Sequence, residues 1–253
     1  MERDSARLWA MIEASRPEIW PGSQPWEDAY GSFGTLPDAD GLGASVLRVR
    51  VPPGDLAGFL ETLWLRYQVP PRFTVGPFET PGLTEWLSGH GYLCEMVEEV
   101  LVLAREHWPQ DPLADVAVRE ASHLADFEQT VRLDHLVFDE PLLAGRKLVR
   151  EWGRYGGARR LFLVPGEDGI ARASGGYTDF GPWLLLFGGA THPAYRRHGL
   201  YSAVVRARLD AARTTSGSAF AAVYANRGTS APILERLGFA AIGTVTVWGP
   251  VRA

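Results

Sequence analysis

Two arginines, a histidine and a glycine lie between a strand pattern and a helix pattern in the second half of the chain. The hydrophobic strand pattern ends at Thr191, and the residues before the helix include Arg196, Arg197, His198 and Gly199. The first N–H groups of a helix lack partners inside it and carry the positive end of its dipole, so they bind anions. Glycine has no Cβ that would keep a phosphate away from the main chain. The spacing predicts a pyrophosphate-binding loop.

The segments that follow this loop have a characteristic order. A second buried strand pattern leads to Asn226, which is the only asparagine of the chain, and then to a short helix with Ser230 near its start. A Gly-Phe pair, Gly238-Phe239, and a last strand complete the order. Over residues 114–251, the chain resembles the GCN5-related N-acetyltransferase (GNAT) superfamily. The acetyl-CoA loop of that family, Gln/Arg-x-x-Gly-x-Gly/Ala, matches Arg196 to Gly199 and departs at Tyr201, where a small residue is usual.

The resemblance implies an α/β fold with a mixed sheet, the acyl-CoA N-acyltransferase (GNAT) fold, as two tandem lobes. It also implies that the strand ending at Thr191 splays from the strand at residues 219–224. The pantetheine arm of acetyl-CoA, the co-substrate, would lie in this V. The residues expected to bind it are Gly189, Ala190, Thr191, Arg196, Arg197, His198, Gly199, Leu200, Tyr201 and Asn226.

The same resemblance implies direct transfer of the acetyl group to a neutral amine, without an acyl-enzyme. A main-chain N–H at the end of the strand, near Thr191, would polarise the thioester carbonyl. Many family members carry a tyrosine that protonates the departing thiolate, and Leu234 stands at that position here. We therefore expect Tyr224, Ser230 or a water molecule to serve as the acid.

A carboxylate base is less obvious, because residues 183–190 contain no glutamate. Asp179 and His192 are possible replacements, although a turn-forming residue and an exposed histidine are the more ordinary interpretations. Charged residues at 134–135 and 139–140 fall between two predicted helices that would roof the acceptor cleft. They either select a cationic amine or, as we favour, are solvated loop charges. Trp152 and Trp183 are candidates for lining the acceptor pocket.

Composition excludes several classes of protein. A net charge of −5 argues against nucleic acid as a partner, because phosphates require a basic surface. The longest uncharged apolar run, residues 183–190, is too short to span a membrane, and the N-terminus lacks the pattern of a secretory signal, so we expect a cytoplasmic protein. Cys94 is the only cysteine, and the histidines show no metal-ligand spacing, so we expect neither a disulfide nor a metal site.

The 253 residues exceed what one such domain needs. Both halves end with a short helix, a Gly-aromatic pair and a strand, and residues 107–112 concentrate helix breakers as a linker would. We expect a degenerate GNAT-like lobe at residues 1–110 and an acetyltransferase domain at residues 114–253. The lobe at residues 1–110 has no phosphate loop and would complete the acceptor site.

The expected function is an acetyl-CoA-dependent N-acetyltransferase that acts on a primary amine of a small molecule or peptide terminus. The alternative is a regulatory module of the same fold that binds CoA with weak catalysis. A third hypothesis is transfer of a longer acyl group. The sequence defines neither the acceptor nor the oligomeric state.

Overall fold

The structure is a computed structural model that describes residues 2–14, 24–27, 31–35, 45–49, 51–67, 70–77, 79–109 and 116–251. The elements, in chain order, are α1 (Glu2–Ala14), β1 (Gln24–Glu27), β2 (Gly31–Thr35), β3 (Ser45–Val49), α2 (Leu56–Tyr67), β4 (Arg72–Val75), α3 (Leu83–Gly89), β5 (Tyr92–Ala104), β6 (Arg119–Glu120), α4 (Leu124–Phe138), α5 (Gly145–Trp152), β7 (Arg159–Val164), β8 (Ala173–Asp179), β9 (Trp183–Thr191), α6 (Leu200–Thr215), β10 (Phe220–Asn226), α7 (Ala231–Arg236) and β11 (Ala240–Pro250).

The chain divides into two compact units. The first comprises Met1–Val100, Ala225–Thr229 and Ala241–Ala253, and the second comprises Leu101–Tyr224 and Ser230–Ala240. Nearly all of β11 is therefore grouped with the beginning of the chain, whereas the predicted lobes divide the chain once, at residues 110–114. Residues 110–112 of the predicted linker lie outside the described residues. That the two lobes arose as copies of one ancestral domain remains a prediction.

The first unit contains a sheet in the order β1-β2-β3-β4-β11. Strands β3 and β4 are parallel, and the other neighbours are antiparallel. Helices α2 and α3 contribute to its core, because their apolar residues recur on one face of each helix. Leu60 and Leu87 are buried there with Phe73 and Tyr92, whose rings meet edge to face with centroids 5.3 Å apart.

The second unit contains strands in the order β10-β9-β8-β7-β6. Strands β9 and β10 are parallel, and the remaining pairs are antiparallel, so the prediction of an α/β fold with a mixed sheet is confirmed. Helices α4 and α5 cover one face, where Phe127 and Leu148 pack with Leu161 and Ala190. Helix α6 contacts β7, β8 and β9, and it packs on the other face.

Helix α4 begins at a buried carboxylate. Both oxygens of Asp126 accept hydrogen bonds from the Arg119 guanidinium, and Oδ2 also accepts the Ser122 N–H at 3.0 Å. Arg119 holds the pKa of Asp126 at about 2. The helix then runs to Phe138 and ends at Asp139, which has a left-handed φ of 56°. Our placement of residues 134–135 between two helices was therefore wrong.

Candidate active site

Strands β9 and β10 pair along only part of their length. Their register runs from Trp183 opposite Phe220 to Leu186 opposite Val223, and ends there. Strand β9 continues beside β8, with Thr191 opposite Ala173, and β10 continues to Asn226. The second unit therefore has a V between β9 and Tyr224, as the resemblance implied, and main-chain groups of both strands border it.

A β-bulge in β9 lies where this V opens. Gly176 of β8 is opposite Phe187 and Ser174 is opposite Ala190, so β9 holds one residue more than β8 over this stretch. Gly188 has a φ of +60° and open space where a Cβ would project. A bulge changes which face each later side chain occupies. Phe187 and Ala190 therefore both lie on the α4–α5 face, and the main chain between them leaves the ladder with β8.

The predicted phosphate loop has the backbone of an anion-binding nest. Two left-handed residues, Arg197 with φ +66° and Gly199 with φ +75°, flank His198. Alternation of this kind turns successive N–H groups toward one side, where they bind anions. Gly199 is the N-cap of α6 and supplies no side-chain cap, and open space lies where its Cβ would be. The left-handed conformation of Arg197 is strained for a non-glycine residue, and such strain is concentrated at functional sites.

The side chains around this loop project two guanidinium groups and an imidazole into solvent. Arg196, Arg197 and His198 are exposed, and Arg196 Nε lies 3.4 Å from the Thr191 carbonyl. His192 Nδ1 accepts the Ala194 N–H at 3.2 Å and caps the short turn before the loop. The loop therefore combines fixed N–H donors with cations at its rim, which fits a pyrophosphate.

Tyr201, the departure from the family pattern, turns its ring toward β9. A Cβ placed on Gly189 would lie 2.8 Å from Tyr201 Cε2, so the missing side chain of Gly189 makes room for the ring. Burial raises the pKa of the Tyr201 phenol, although Arg208 opposes the effect. The ring of Tyr201 therefore packs against β9 from the first turn of α6.

Two hydroxyl groups at the V are buried without a hydrogen-bond partner among the described residues. They are Thr191 Oγ1, at the end of β9, and Tyr224 Oη, one residue beyond the last pair of β9 and β10. A buried polar group without a partner is costly, so these hydroxyls fit positions that contact a ligand. Ser230 begins α7, and its hydroxyl makes no capping hydrogen bond. Leu234, at the usual tyrosine position, is fully buried.

The side-chain oxygen of Asn226 accepts hydrogen bonds from nearby residues of the same turn. Its Oδ1 accepts the Gly228 N–H at 2.9 Å and the Thr229 hydroxyl at 3.3 Å, which forms the turn after β10. By its contacts Asn226 belongs to the first unit. A further role in binding CoA remains a prediction for this residue.

Several predicted alternatives have structural roles. Asp179 Oδ1 accepts hydrogen bonds from Gly181 N and Ser218 Oγ, at 2.8 and 3.0 Å, and thus forms the turn before β9. Trp183 is fully buried and stacks on Phe220, so it cannot line an acceptor pocket. Trp152 is partly buried and stacks near Tyr155, on the α4–α5 face.

Arg208 is an important residue that the sequence reasoning missed. Its guanidinium is buried and donates to the carbonyls of Gly176 and Phe187, at 2.9 and 3.2 Å, which lie at the bulge. Burial lowers its pKa to about 10, so it stays charged at neutral pH. The sequence contained one signal for this role: Arg208 lies one turn after Val204, on the apolar face of α6.

Comparison with known proteins identifies the fold. No family model matches the chain, and no curated protein matches it. Among solved structures, a GCN5-related N-acetyltransferase from Kribbella flavida superimposes with a TM-score of 0.72 and 17% identity, covering 96% of each chain. Another, from Sphaerobacter thermophilus, has a TM-score of 0.67 and 13% identity, and the match covers 95% of this chain and 86% of that one.

A third solved structure is described as a tandem GNAT protein from the clavulanic acid biosynthesis pathway, without AcCoA. It superimposes with a TM-score of 0.58 and 17% identity, over 88% of this chain and 80% of that chain. These likenesses extend over both halves of the chain. The chain therefore has the GNAT fold, and the resemblance noted in the sequence is confirmed at the level of the fold.

No helix in the described part of the chain has the length and apolar character needed to cross a membrane.

Proposed function

We propose that this protein is an acetyl-CoA-dependent N-acetyltransferase that acts on a primary amine of a small molecule or a peptide terminus. The observation that carries the proposal is the V that opens beyond Leu186 and Val223 in the same unit as the left-handed loop at Arg197 and Gly199. A thioester carried on a pyrophosphate-containing arm needs both an anion cradle and a gap between strands.

The phosphates would bind the N–H groups from Arg197 to Leu200, with Arg196 and His198 adding charge or donors at the rim. The pantetheine arm would lie along β9, where main-chain groups of Gly189, Ala190 and Thr191 are its expected partners. Acetyl-CoA would supply the activated acyl group. The residues fit this co-substrate because the loop offers open N–H donors and because Thr191 Oγ1 is buried without a partner in the described chain.

The acceptor amine would attack the thioester carbonyl directly, with one main-chain N–H polarising the carbonyl oxygen. An acyl-enzyme is not expected, because the only cysteine, Cys94, is exposed and belongs to the first unit. Tyr224 is the preferred donor of a proton to the departing thiolate, since the residue borders the V and its hydroxyl is buried without a described partner. Ser230 is the second candidate.

Acetyl transfer is tested by measuring CoA thiol release from acetyl-CoA with a panel of amines, with mass spectrometry of the product. The panel contains benzylamine, putrescine, aniline and a tripeptide with a free N-terminus. We expect amine-dependent thiol release that is lost when Arg196 and Arg197 are both replaced by alanine. Release that is independent of the amine would contradict transfer to nitrogen.

A CoA-binding regulatory module is the second candidate. The burial of Leu234 at the usual position of the acid favours it, because the side chain can neither donate a proton nor approach a thiolate. Tight binding of acetyl-CoA without transfer to any amine of the panel would support this alternative.

A further inference from the structure

Asp134 is a buried acid on the face of the second unit that α4 and α5 cover. Its Oδ1 is shielded from solvent and has no hydrogen-bond partner among the residues described, while the residue as a whole is only partly buried. A carboxylate removed from water is costly unless a cation or donors satisfy it. The side chain therefore either remains protonated or receives a cation from outside.

The charged groups around Asp134 do not satisfy it. Burial, the main cause, and the like charge of Glu140 together raise its pKa to about 8. The nearby Tyr155 interacts electrostatically with Asp134, Glu151 and Arg159. Arg159 is occupied elsewhere, because its guanidinium lies over the rings of Phe187 and Tyr155, at 4.3 and 5.1 Å from their centroids.

Contacts connect this acid to the V between β9 and β10. Tyr155 interacts electrostatically with Asp134. The centroid of its ring lies 6.4 Å from the ring centroid of Phe187. Phe187 directly precedes the bulge at Gly188, where β9 leaves its ladder. Helix α4, which carries Asp134, packs on β9. The acid thus belongs to a helix that covers the face of the sheet opposite α6 and contacts the strand along which the thioester is expected.

We propose that Asp134 binds the ammonium group of the acceptor and accepts its proton, so that the acceptor is a cationic primary amine. This inference rests on the proposed acetyltransferase function and names its substrate class. The aromatic rings of Tyr155 and Phe187 add a surface that favours a cation. Residues 183–190 of β9 contain no glutamate, and Asp134 on α4 would supply the carboxylate instead.

The proposed reaction balances in protons and electrons. One proton passes from the ammonium nitrogen to the Asp134 carboxylate, which leaves a neutral amine. The nitrogen lone pair forms the C–N bond, the C–S bond breaks, and its electron pair leaves on the CoA sulfur. The second proton leaves the nitrogen and neutralises the thiolate, and Asp134 returns its proton to solvent.

The test compares wild type with Asp134→Asn, and Asp139→Asn serves as the matched control. Asp139 is exposed at the end of the same helix, and asparagine tolerates its left-handed backbone. With benzylamine, Asp134→Asn should lower kcat/KM by about 100-fold or more. With aniline, which is uncharged at neutral pH, the loss should be below about threefold, because no proton must be removed. Wild-type kcat/KM for benzylamine should rise with pH toward pH 8, and this rise should vanish in Asp134→Asn.

A second readout does not depend on activity. The folded pKa of Asp134 lies above its unfolded value, so ionisation of the carboxyl destabilises the fold increasingly as pH rises from about 4 to 8. Asp134→Asn should therefore raise Tm, and by more at pH 8 than at pH 5, whereas Asp139→Asn should not. An equal Tm change at both pH values would overturn the burial argument.

The outcomes separate the two proposals. Unchanged benzylamine kinetics in Asp134→Asn would overturn the role of Asp134 and leave acetyl transfer standing. Transfer to aniline without transfer to benzylamine, putrescine or the tripeptide would overturn the cationic substrate class. Failure of wild type to bind acetyl-CoA would instead overturn the proposed function itself.

Discussion

The hydroxyl of Tyr224 is buried one residue beyond the last pair of β9 and β10, and no described residue bonds to it. If it protonates the departing thiolate, Tyr224→Phe should lower kcat by about 10- to 100-fold. The expected loss is at the lower end for an acid catalyst, because a thiolate leaves readily. The Kd for acetyl-CoA should stay within about twofold, since the ring remains.

The control for this substitution is Tyr177→Phe. Tyr177 is also buried, but its hydroxyl bonds to Arg160 and Thr215 on the α6 face. Tyr177→Phe should therefore alter the stability of the fold and leave kcat unchanged. If Tyr224→Phe keeps the wild-type kcat, the proton donor is instead Ser230 or a water molecule. The kcat of Ser230→Ala would then distinguish these two.

Asp126 gives a residue-scale prediction about stability. Its pKa is about 2 in the folded chain, below its ordinary value of 3.8, so its contribution is present above about pH 4 and is lost as pH falls toward 2. Asp126→Asn should lower the free energy of unfolding by about 1–2 kcal/mol at pH 7, an amount that allows for the half-exposed partner Arg119. Urea denaturation at pH 7 and pH 2.5 measures it, and the difference should shrink at the lower pH.

A matched control is available on the same helix. Glu128 forms an exposed pair with Arg132, and Glu128→Gln should cost less than about 0.5 kcal/mol at pH 7. Equal losses of unfolding free energy in the two variants would show that the bidentate pair of Asp126 and Arg119 stabilises the fold no more than an exposed pair does.

At the scale of elements, the loop before α6 should bind phosphate through its backbone. Gly199 has a φ of +75°, and open space lies where a Cβ would project, so Gly199→Ala strains the backbone without a clash. We expect a loss of stability of about 1 kcal/mol and a loss of acetyl-CoA affinity of at least about tenfold. Calorimetry and thermal unfolding of the same samples measure both.

Gly181→Ala separates strain from function. Gly181 also has a left-handed φ, +86°, with open space, and it precedes β9 at the end away from the loop. It should lose similar stability and keep its affinity for acetyl-CoA. A parallel loss of affinity in both variants would contradict a specific role for the loop.

The bulge in β9 makes a second prediction at this scale. Arg208 donates to the carbonyls of Gly176 and Phe187, the last cross-strand pair before it. Arg208→Met keeps the volume but leaves these carbonyls unpaired, so we expect a loss of about 1–3 kcal/mol in the free energy of unfolding. Arg206→Met, on the same helix but partly exposed, should lose less. Equal losses would argue against a clamp at the bulge.

At the scale of the whole molecule, local patterns predicted more than long-range ones. The loop at Arg196 to Gly199 could be predicted because helix entry and glycine conformation are local properties. The bulge at Gly188 depends on register with β8, and the grouping of β11 with the first unit depends on distant contacts. The burial of Asp134 depended on where α4 ends, since residues 134–135 were expected between two helices and the helix instead continues to Phe138.

The site residues divide in the same way. Thr191 and Tyr224 were expected from the family resemblance, and the structure adds that both hydroxyls are buried without described partners. Trp183 was misassigned because an aromatic residue at the start of a strand gives no sign of its burial. Arg208 was missed because charge usually indicates a solvated side chain, whereas this one satisfies carbonyls inside the second unit.

Calorimetric titration of the full chain with acetyl-CoA tests the central claim most directly. We predict saturable binding with one site per chain, weakened at least about tenfold when Arg196 and Arg197 are both replaced by alanine, with Tm nearly unchanged. Absence of binding at millimolar acetyl-CoA by the folded wild-type protein would contradict the proposal that its V and loop hold this co-substrate.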